Sequence, residues 1–459
     1  MTPRPLLRVA TSLLAFGVLA TCAQRVNAQD CQYWTLQYGT RGELLGGVVV
    51  GSAVDLSATY YNPGSLALVK DPSVILTATV LGMQTIRVKS EEPGQDALSS
   101  QNIGPEPSMF AGLLPMKWWG GRMAYSFITR QKLDFKLVEN EGAVIGLDEP
   151  GDSLSIGGEI MLDQNVGEDW GGLTWAKRVH DHVGVGVTLY GAYRSQTLSR
   201  RQTVEAIGGG GFGASLTDWN DVSYETFRVL TKLGIETDLG GTSLGLALTT
   251  AGLPVYGSGD ILINRVVIGD ANLDGIDDSE AIVSYGRGLH AEYRSPFSIA
   301  AGGSYRWTTT TLHATIEYFS SVDPYTVTET AAPAGGPGLI TVASRYDHAL
   351  DSVVNFGAGI ERRFSEKSTG YISFIADHSA YAKVPSGTYA IVVSTWDIYH
   401  LNGGVAFTIG GTDVTLGGGF AWGSNPLDVT PDSEGVLPAT IVPSEVTYSR
   451  VKFILGLAL

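Results

Sequence analysis

The sequence predicts an all-β protein, a fourteen-stranded antiparallel transmembrane β-barrel plugged by an N-terminal hatch. Three observations predict it. About fourteen amphipathic, strand-like stretches follow one another along the chain. They are joined alternately by a connection of a few residues and by a much longer one, as tight turns on one side of a membrane and long loops on the other require. Beyond the N-terminus, no apolar run reaches the roughly 18 residues that a membrane helix needs. A spanning chain of this kind must close on itself, because lipid offers no partner to an open strand edge.

The N-terminus sets the compartment. Arg4 and Arg8 precede the apolar run from Val9 to Ala20, and Val26-Asn27-Ala28 places small residues where a signal peptidase reads them. Residues 1–28 are therefore expected to be a signal peptide, cut before Gln29. The rival reading takes Leu19-Ala20-Thr21-Cys22 as a lipoprotein box, in which Thr21 fits poorly. Removing Arg4, Arg8 and Arg25 from the 30 basic residues leaves 27 against 46 acidic ones, about −19 in formal charge, which excludes nucleic acid as an expected partner. Of the two cysteines Cys22 leaves with the signal, so Cys31 has no mate for a disulfide and no companions for a thiolate zinc site.

No linker, charge block or low-complexity break divides the 459 residues. Gly supplies 59 of them and charged residues only 17%. That suits long strands around a closed wall better than helices, where each interior Gly costs about 1 kcal/mol relative to Ala. The expected organisation is a hatch over 29–71 and a barrel over 72–459.

Strands are expected at 72–90, 107–117, 121–137, 154–179, 182–204, 219–239, 242–266, 284–305, 311–330, 345–364, 369–383, 395–409, 412–424 and 446–459. The connections after the even strands are short, among them Trp118 to Gly120, His180-Asp181, Gly240-Gly241 and Gly410-Gly411. Those after the odd strands are long and rich in Gly, Pro, Asp and Ser. A two-residue period separates the faces. In the twelfth strand Tyr399, Leu401, Val405, Phe407 and Ile409 oppose His400, Asn402 and Thr408. The eighth sets Leu289, Tyr293, Phe297 and Ile299 against His290, Glu292 and Arg294. Many strands exceed the roughly 9 to 11 residues that a crossing takes, so the wall should project beyond the bilayer on the long-loop side. Trp118, Trp119 and Trp307 at short turns, and Trp422, Tyr325 and Tyr381 near long-loop ends, fit aromatic girdles at the headgroup level.

The stretch before the first strand does not alternate. It reads Tyr38-Gly39-Thr40-Arg41-Gly42, then Gly46 to Gly51, then Asp55 through Tyr60-Tyr61-Asn62-Pro63-Gly64-Ser65 to Ala67. Glycines and small residues allow a compact element, Asn-Pro-Gly marks a sharp turn, and the barrel interior is the place for it. With the Pro115-Met116-Lys117-Trp118-Trp119-Gly120-Gly121 turn, the Tyr125-Ser126-Phe127 strand after it and the fourteen-strand count, this segment resembles the FadL-like family of outer-membrane transporters for long-chain fatty acids and hydrocarbons. The resemblance implies a hatch motif at Asn62 and Pro63, with Gly64 where the family usually carries Ala. It also implies a passive diffusion channel in the outer membrane of a Gram-negative bacterium. Hydrophobic small molecules would be captured by extracellular loops, and would leave sideways near a kinked third strand into outer-membrane lipid. The protein is expected to act as a monomer. Two departures stand out: the third strand, Arg122 to Leu137, holds neither Gly nor Pro to announce a kink, and the last residue is Leu459 instead of an aromatic. The alternatives on the same architecture are a FadL-like protein-secretion shuttle component and a general porin.

Two further patterns were weighed. Asp270, Asn272, Asp274 and Asp278 with Gly275 reproduce most of an EF-hand-type loop, but Ala281 stands where the bidentate acid belongs; a structural calcium is the only cofactor they suggest, and otherwise none is expected. Asp377-His378-Ser379 places three catalytic residue types side by side, where neighbours on a strand point to opposite faces, so no enzyme is expected. His290, His313 and His400 fall on expected lumen faces beside polar residues such as Arg122, Ser126, Arg130, Glu317 and Asn402.

Overall fold

The computed structural model describes residues 31–69, 74–90, 98–146, 153–208, 213–269, 279–331, 340–341, 344–382, 395–427 and 444–458. The expected signal peptide and the 270–278 loop lie outside the described residues. Six strands run unbroken: β1 (Val74–Ser90), β2 (Leu98–Trp118), β3 (Gly121–Gly146), β4 (Ser153–His180), β5 (Val183–Gly208) and β6 (Gly213–Asp238). The next four crossings are each split, as β7 (Thr242–Thr249) with β8 (Leu253–Ile268), β9 (Glu280–His290) with β10 (Ser298–Trp307), β11 (Thr310–Phe319) with β12 (Val322–Thr330), and β14 (Ser344–Leu350) with β15 (Val353–Ser365). Between β12 and β14, the short β13 (Ile340–Thr341) pairs parallel with β9. The last four crossings are β16 (Ser368–Asp377), β17 (Ile398–Ile409), β18 (Thr412–Leu427) and β19 (Ser444–Ala458). Neighbouring crossings pair antiparallel, and β19 returns to β1 from Ile75↔Ala458 to Ser90↔Ser444. The sheet is thus a closed, fourteen-stranded barrel, as the alternating connections predict.

The splits in crossings seven to ten correct the expected continuous strands. They fall at 250–252, 291–297, 320–321 and 351–352, where Thr-Ala-Gly, Ser-Pro, Ser-Ser and Asp-Ser replace alternating residues. On the short-turn side the segments are 8 to 13 residues long, close to the roughly 9 to 11 residues that a crossing takes. On the long-loop side β12 and β14 form a two-stranded sheet of their own, and β14 is buried on both faces apart from Arg345.

The outer surface carries the exposed apolar residues, among them Phe127, Leu189, Leu246, Ile316, Phe374 and Phe453, the composition of a lipid-facing band. Trp118, Trp119 and Trp307 are exposed at the short turns, and Trp422 at the other end. Trp119 and Gly120 (φ 49° and 72°) and Gly410 and Gly411 (φ 62° and 92°) take the positive φ that two-residue hairpins require. Crossing twelve keeps its expected faces, with His400 and Asn402 buried and Leu401, Phe407 and Ile409 exposed, though Thr408 is exposed too. Crossing eight does not. Residues 291–297 leave the ladder, so Tyr293 turns inward while His290 and Arg294 are exposed, the reverse of the expected faces. Tyr325 is likewise interior instead of part of a girdle, its hydroxyl accepting from Arg294 N at 2.9 Å.

One further gap interrupts the wall. The β2–β3 ladder runs from the turn to Met109↔Ile128 and ends there, while β2 continues along β1 to Val88↔Leu98 and β3 along β4 to Gly146↔Ser153. Pro105 and Pro107 sit two apart on this stretch of β2, so both donors missing from the backbone belong to one edge. At the same level β1 and β2 slip register between Thr79 and Gly82, and β3 bulges against β4 between Thr129 and Gln131. The third strand therefore does carry an irregularity, without a Gly or Pro to mark it.

Candidate functional site

Residues 31–69 lie inside the closed sheet. They hold a short α1 (Thr40–Leu44), α2 (Ala58–Tyr61) and a 3-10 turn, Pro63–Ala67. Asn62 caps that turn, its Oδ1 accepting from Gly64 N at 3.1 Å, and Pro63 occupies the first position, where no N–H is needed. The same side chain reaches the wall, since Asn62 Nδ2 donates to Val50 O at 2.8 Å and to Ile235 O on β6 at 2.9 Å. Room for it exists because the facing wall residues are Gly234 and Gly245, where an added Cβ would stand 2.1 Å from Asn62 Oδ1 and 2.7 Å from Asn62 Nδ2 respectively. Gly64 is equally confined: a Cβ there would lie 2.7 Å from Gly184 O and 2.8 Å from Gly234 O. Asn62, Pro63 and Gly64 are thus brought together at one point of contact with β5, β6 and β7.

Polar pins fasten the rest of the segment. Asp377 accepts from the backbone N–H of Tyr33 (3.0 Å) and Trp34 (2.9 Å), and Glu317 accepts from Trp34 Nε1 at 2.7 Å. Arg41 Nε meets Glu361 Oε2 at 2.6 Å, while His313 stands between Ser52 Oγ (3.0 Å) and Arg41 (3.2 Å). Arg122 donates to the Leu66 and Val69 carbonyls. Glu43 is fully buried in α1. Burial raises its carboxyl to about 7, the charges of Lys452 and Arg450 pulling in the opposite direction. Burial likewise raises the Tyr60 phenol to about 12. The interior on the long-loop side is held by Glu168, which receives Arg228 at 2.7 Å, Arg194 at 3.1 Å and Trp170 Nε1 at 2.6 Å. Both guanidiniums also approach the Tyr293 ring, at 4.1 and 4.4 Å from its centroid.

Interior spaces border the segment, and two of them bear on function. The first holds ≈ 540 Å³ of unfilled space, part of it open, walled by Tyr33, Tyr60, Trp170, Tyr293 and Phe319 with Lys232 and Glu317. The second, ≈ 450 Å³, lies behind the gap between β2 and β3, walled by Gln131, Lys132 and Leu133 on β3 and by Ile398, Trp396 and Tyr448. These lining residues were not foreseen; Pro105 and Pro107 were the sequence signal that could have pointed to them. Asp377 faces inward, whereas His378 Nδ1 turns to Val354 O at 2.7 Å, so the sequence neighbours do not converge. Asp270, Asn272, Asp274 and Asp278 lie outside the described residues.

No protein-family model matches this chain, and no curated protein matches its sequence. Solved structures do. A FadL homologue of Pseudomonas aeruginosa aligns with a TM-score of 0.59 at 11% identity, over 93% of this chain and 99% of that one. The toluene transporter TodX of Pseudomonas putida aligns with a TM-score of 0.54 at 12% identity, over 93% and 99%. The toluene transporter TbuX of Ralstonia pickettii gives 0.51 at 13%, over 92% and 98%. A closed barrel of fourteen strands, matched along nearly its whole length, gives this chain the fold of the FadL and TodX transporters.

Proposed function

We propose that the protein is an outer-membrane channel for the passive uptake of hydrophobic compounds, with residues 31–69 as its hatch and the interval between β2 and β3 as its lateral exit. The observation that carries the reading is the interval where β2 and β3 share no ladder, beside which Gln131, Lys132 and Leu133 of β3 line an interior space of ≈ 450 Å³ with its open part counted. Side chains reach across that stretch, with Lys132 Nζ donating to Pro105 O at 3.5 Å and Ser100 Oγ accepting from Lys136 N at 3.0 Å. Its outer rim is mixed: Ile103 is exposed on β2, Phe110 and Phe127 face out from the ladder just below, and Lys132, Asp134 and Lys136 are exposed along β3. A solute leaving there passes from protein into lipid without meeting water, and moves down its own gradient without an energy source. Long-chain fatty acids and monoaromatic hydrocarbons are the proposed substrates, and the names of the similar transporters support the second class. A general porin accords poorly with a lumen occupied by 31–69.

Uptake into proteoliposomes tests this. Labelled oleate and toluene should enter with the intact protein, and small sugars should enter only when residues 29–70 are deleted. Equal entry of sugars and oleate through the intact protein would overturn the reading.

A further inference from the structure

We propose a second opening in the wall, between crossings seven and eight, through which hydrophobic solute dissolved in the bilayer enters the cavity walled by Tyr33, Tyr60, Trp170 and Phe319. The proposal rests on the transport reading and adds an entrance to it. The β7–β10 ladder ends at Thr249↔Ser298, and pairing resumes only where Ala291 N donates to Gly257 O at 3.3 Å and β8 meets β9 at Ser258↔His290. Across the interval, 250–256 and 292–297 form no ladder. In its place Ser295 Oγ accepts from Gly252 N at 3.1 Å. Two features hold the interval open to rearrangement. Pro296 has no N–H with which to pair. Tyr293, buried with its ring within reach of Arg194 and Arg228, holds its segment off the wall toward the interior.

The interior space bounded by the rings of Tyr33, Tyr60, Trp170, Tyr293 and Phe319, ≈ 540 Å³ with its open part counted, reaches this same interval. Thr250, Ser295 and Pro296 line it, so one layer of residues separates it from the outer surface. That surface is greasy, with Leu253 69%, Val255 64% and Phe297 40% exposed. Phe297 packs edge-on to Tyr318 at 6.2 Å, so the interval is flanked on the outer face by aromatic side chains. Gly252 leaves no bulk in the way, since a Cβ there would already stand 2.7 Å from Ser295 Oγ. Turning the Ser295 hydroxyl aside therefore joins the lipid to a cavity lined by five aromatic rings. Solute would enter here and leave between β2 and β3.

A diazirine-bearing palmitate, supplied already dissolved in the bilayer of proteoliposomes and photolysed, tests the entrance. In the unsubstituted protein, adducts are expected on interior Phe319 and on lipid-facing Leu246. Thr250→Trp and, separately, Ser295→Phe should each lower the Phe319 adduct about tenfold and leave the Leu246 adduct unchanged, while Ser295→Ala, which adds no volume and removes the bond to Gly252, should raise it about threefold. An unchanged Phe319 adduct in Ser295→Ala and in whichever filled variant folds would overturn the entrance while leaving transport standing. So would its loss on closing the β2–β3 interval instead. No interior adduct in the unsubstituted protein, with Leu246 labelled, would overturn the transport reading and the entrance with it.

Discussion

Trp34 Nε1 donates to Glu317 Oε2 at 2.7 Å, and Ser298 Oγ donates to the other oxygen of the same carboxylate at 2.6 Å. One buried side chain of β11 thus ties the first residues of the N-terminal segment to the wall and the wall to itself. Removing it strands two buried donors. Glu317→Ala should cost about 1–3 kcal/mol, the desolvation penalty of unpaired groups, and Glu317→Gln, which keeps an acceptor, much less. Urea unfolding in detergent measures the difference. Equal midpoints for Ala and Gln would show that the pairing contributes nothing.

Asn62 makes three hydrogen bonds in a pocket made by two glycines, and the geometry ranks its substitutions. Asn62→Ala loses all three and leaves Gly64 N without its cap, for about 1–2 kcal/mol. Gly234→Ala should cost about 1–3 kcal/mol by overpacking, because its Cβ would lie 2.1 Å from Asn62 Oδ1. If the two act at one contact, Gly234→Ala should be milder in the Asn62→Ala background, where the clashing oxygen is gone. Additive losses in that double-mutant cycle would separate the two sites.

The strand count, the alternating turns and the interior placement of the Asn62 segment were legible because each depends on local chemistry: a two-residue period, turn residues, and an apolar stretch with nowhere else to go. What the sequence hid was non-local. Tyr293 shares the parity of outward Phe297, and only the break in the strand before Pro296, with Arg194 and Arg228 reaching its ring from distant strands, places it inside. Strand lengths in crossings seven to ten were overestimated for a related reason. Alternation continues past each break, although the ladder does not. The gap beside β3 was sought in β3, where the bulge at Thr129–Gln131 has no marker, while its chemical cause stands in β2 at Pro105 and Pro107.

Those prolines make the gap reversible in principle. Replacing Pro105 and Pro107 together by Val restores two N–H donors to the edge and places β-branched residues where strands favour them. The β2–β3 ladder should then extend beyond Met109↔Ile128, and uptake of labelled toluene should fall about tenfold if the gap is the narrowest point of the route. Amide exchange on 99–108 and 129–136 reports the ladder independently. Slower exchange with unchanged uptake would close the gap and refute its role in transport.

Glu43 predicts how stability follows pH. Its carboxyl sits near 7 in the folded protein against an ordinary value of 4.5, first because burial disfavours the charge and only partly offset by Lys452 and Arg450. The folded state therefore binds the proton more tightly than the unfolded one. Its contribution is greatest below about pH 4.5 and declines as pH rises to about 7, above which it changes no further. Glu43→Gln removes that dependence, so its advantage over the natural protein should grow across this window and level off beyond it. Unfolding midpoints of both proteins from about pH 4 to about pH 8 measure the difference, which cancels the titration of every other group. Parallel curves would show that Glu43 titrates in its ordinary range, and that water reaches α1 inside the barrel.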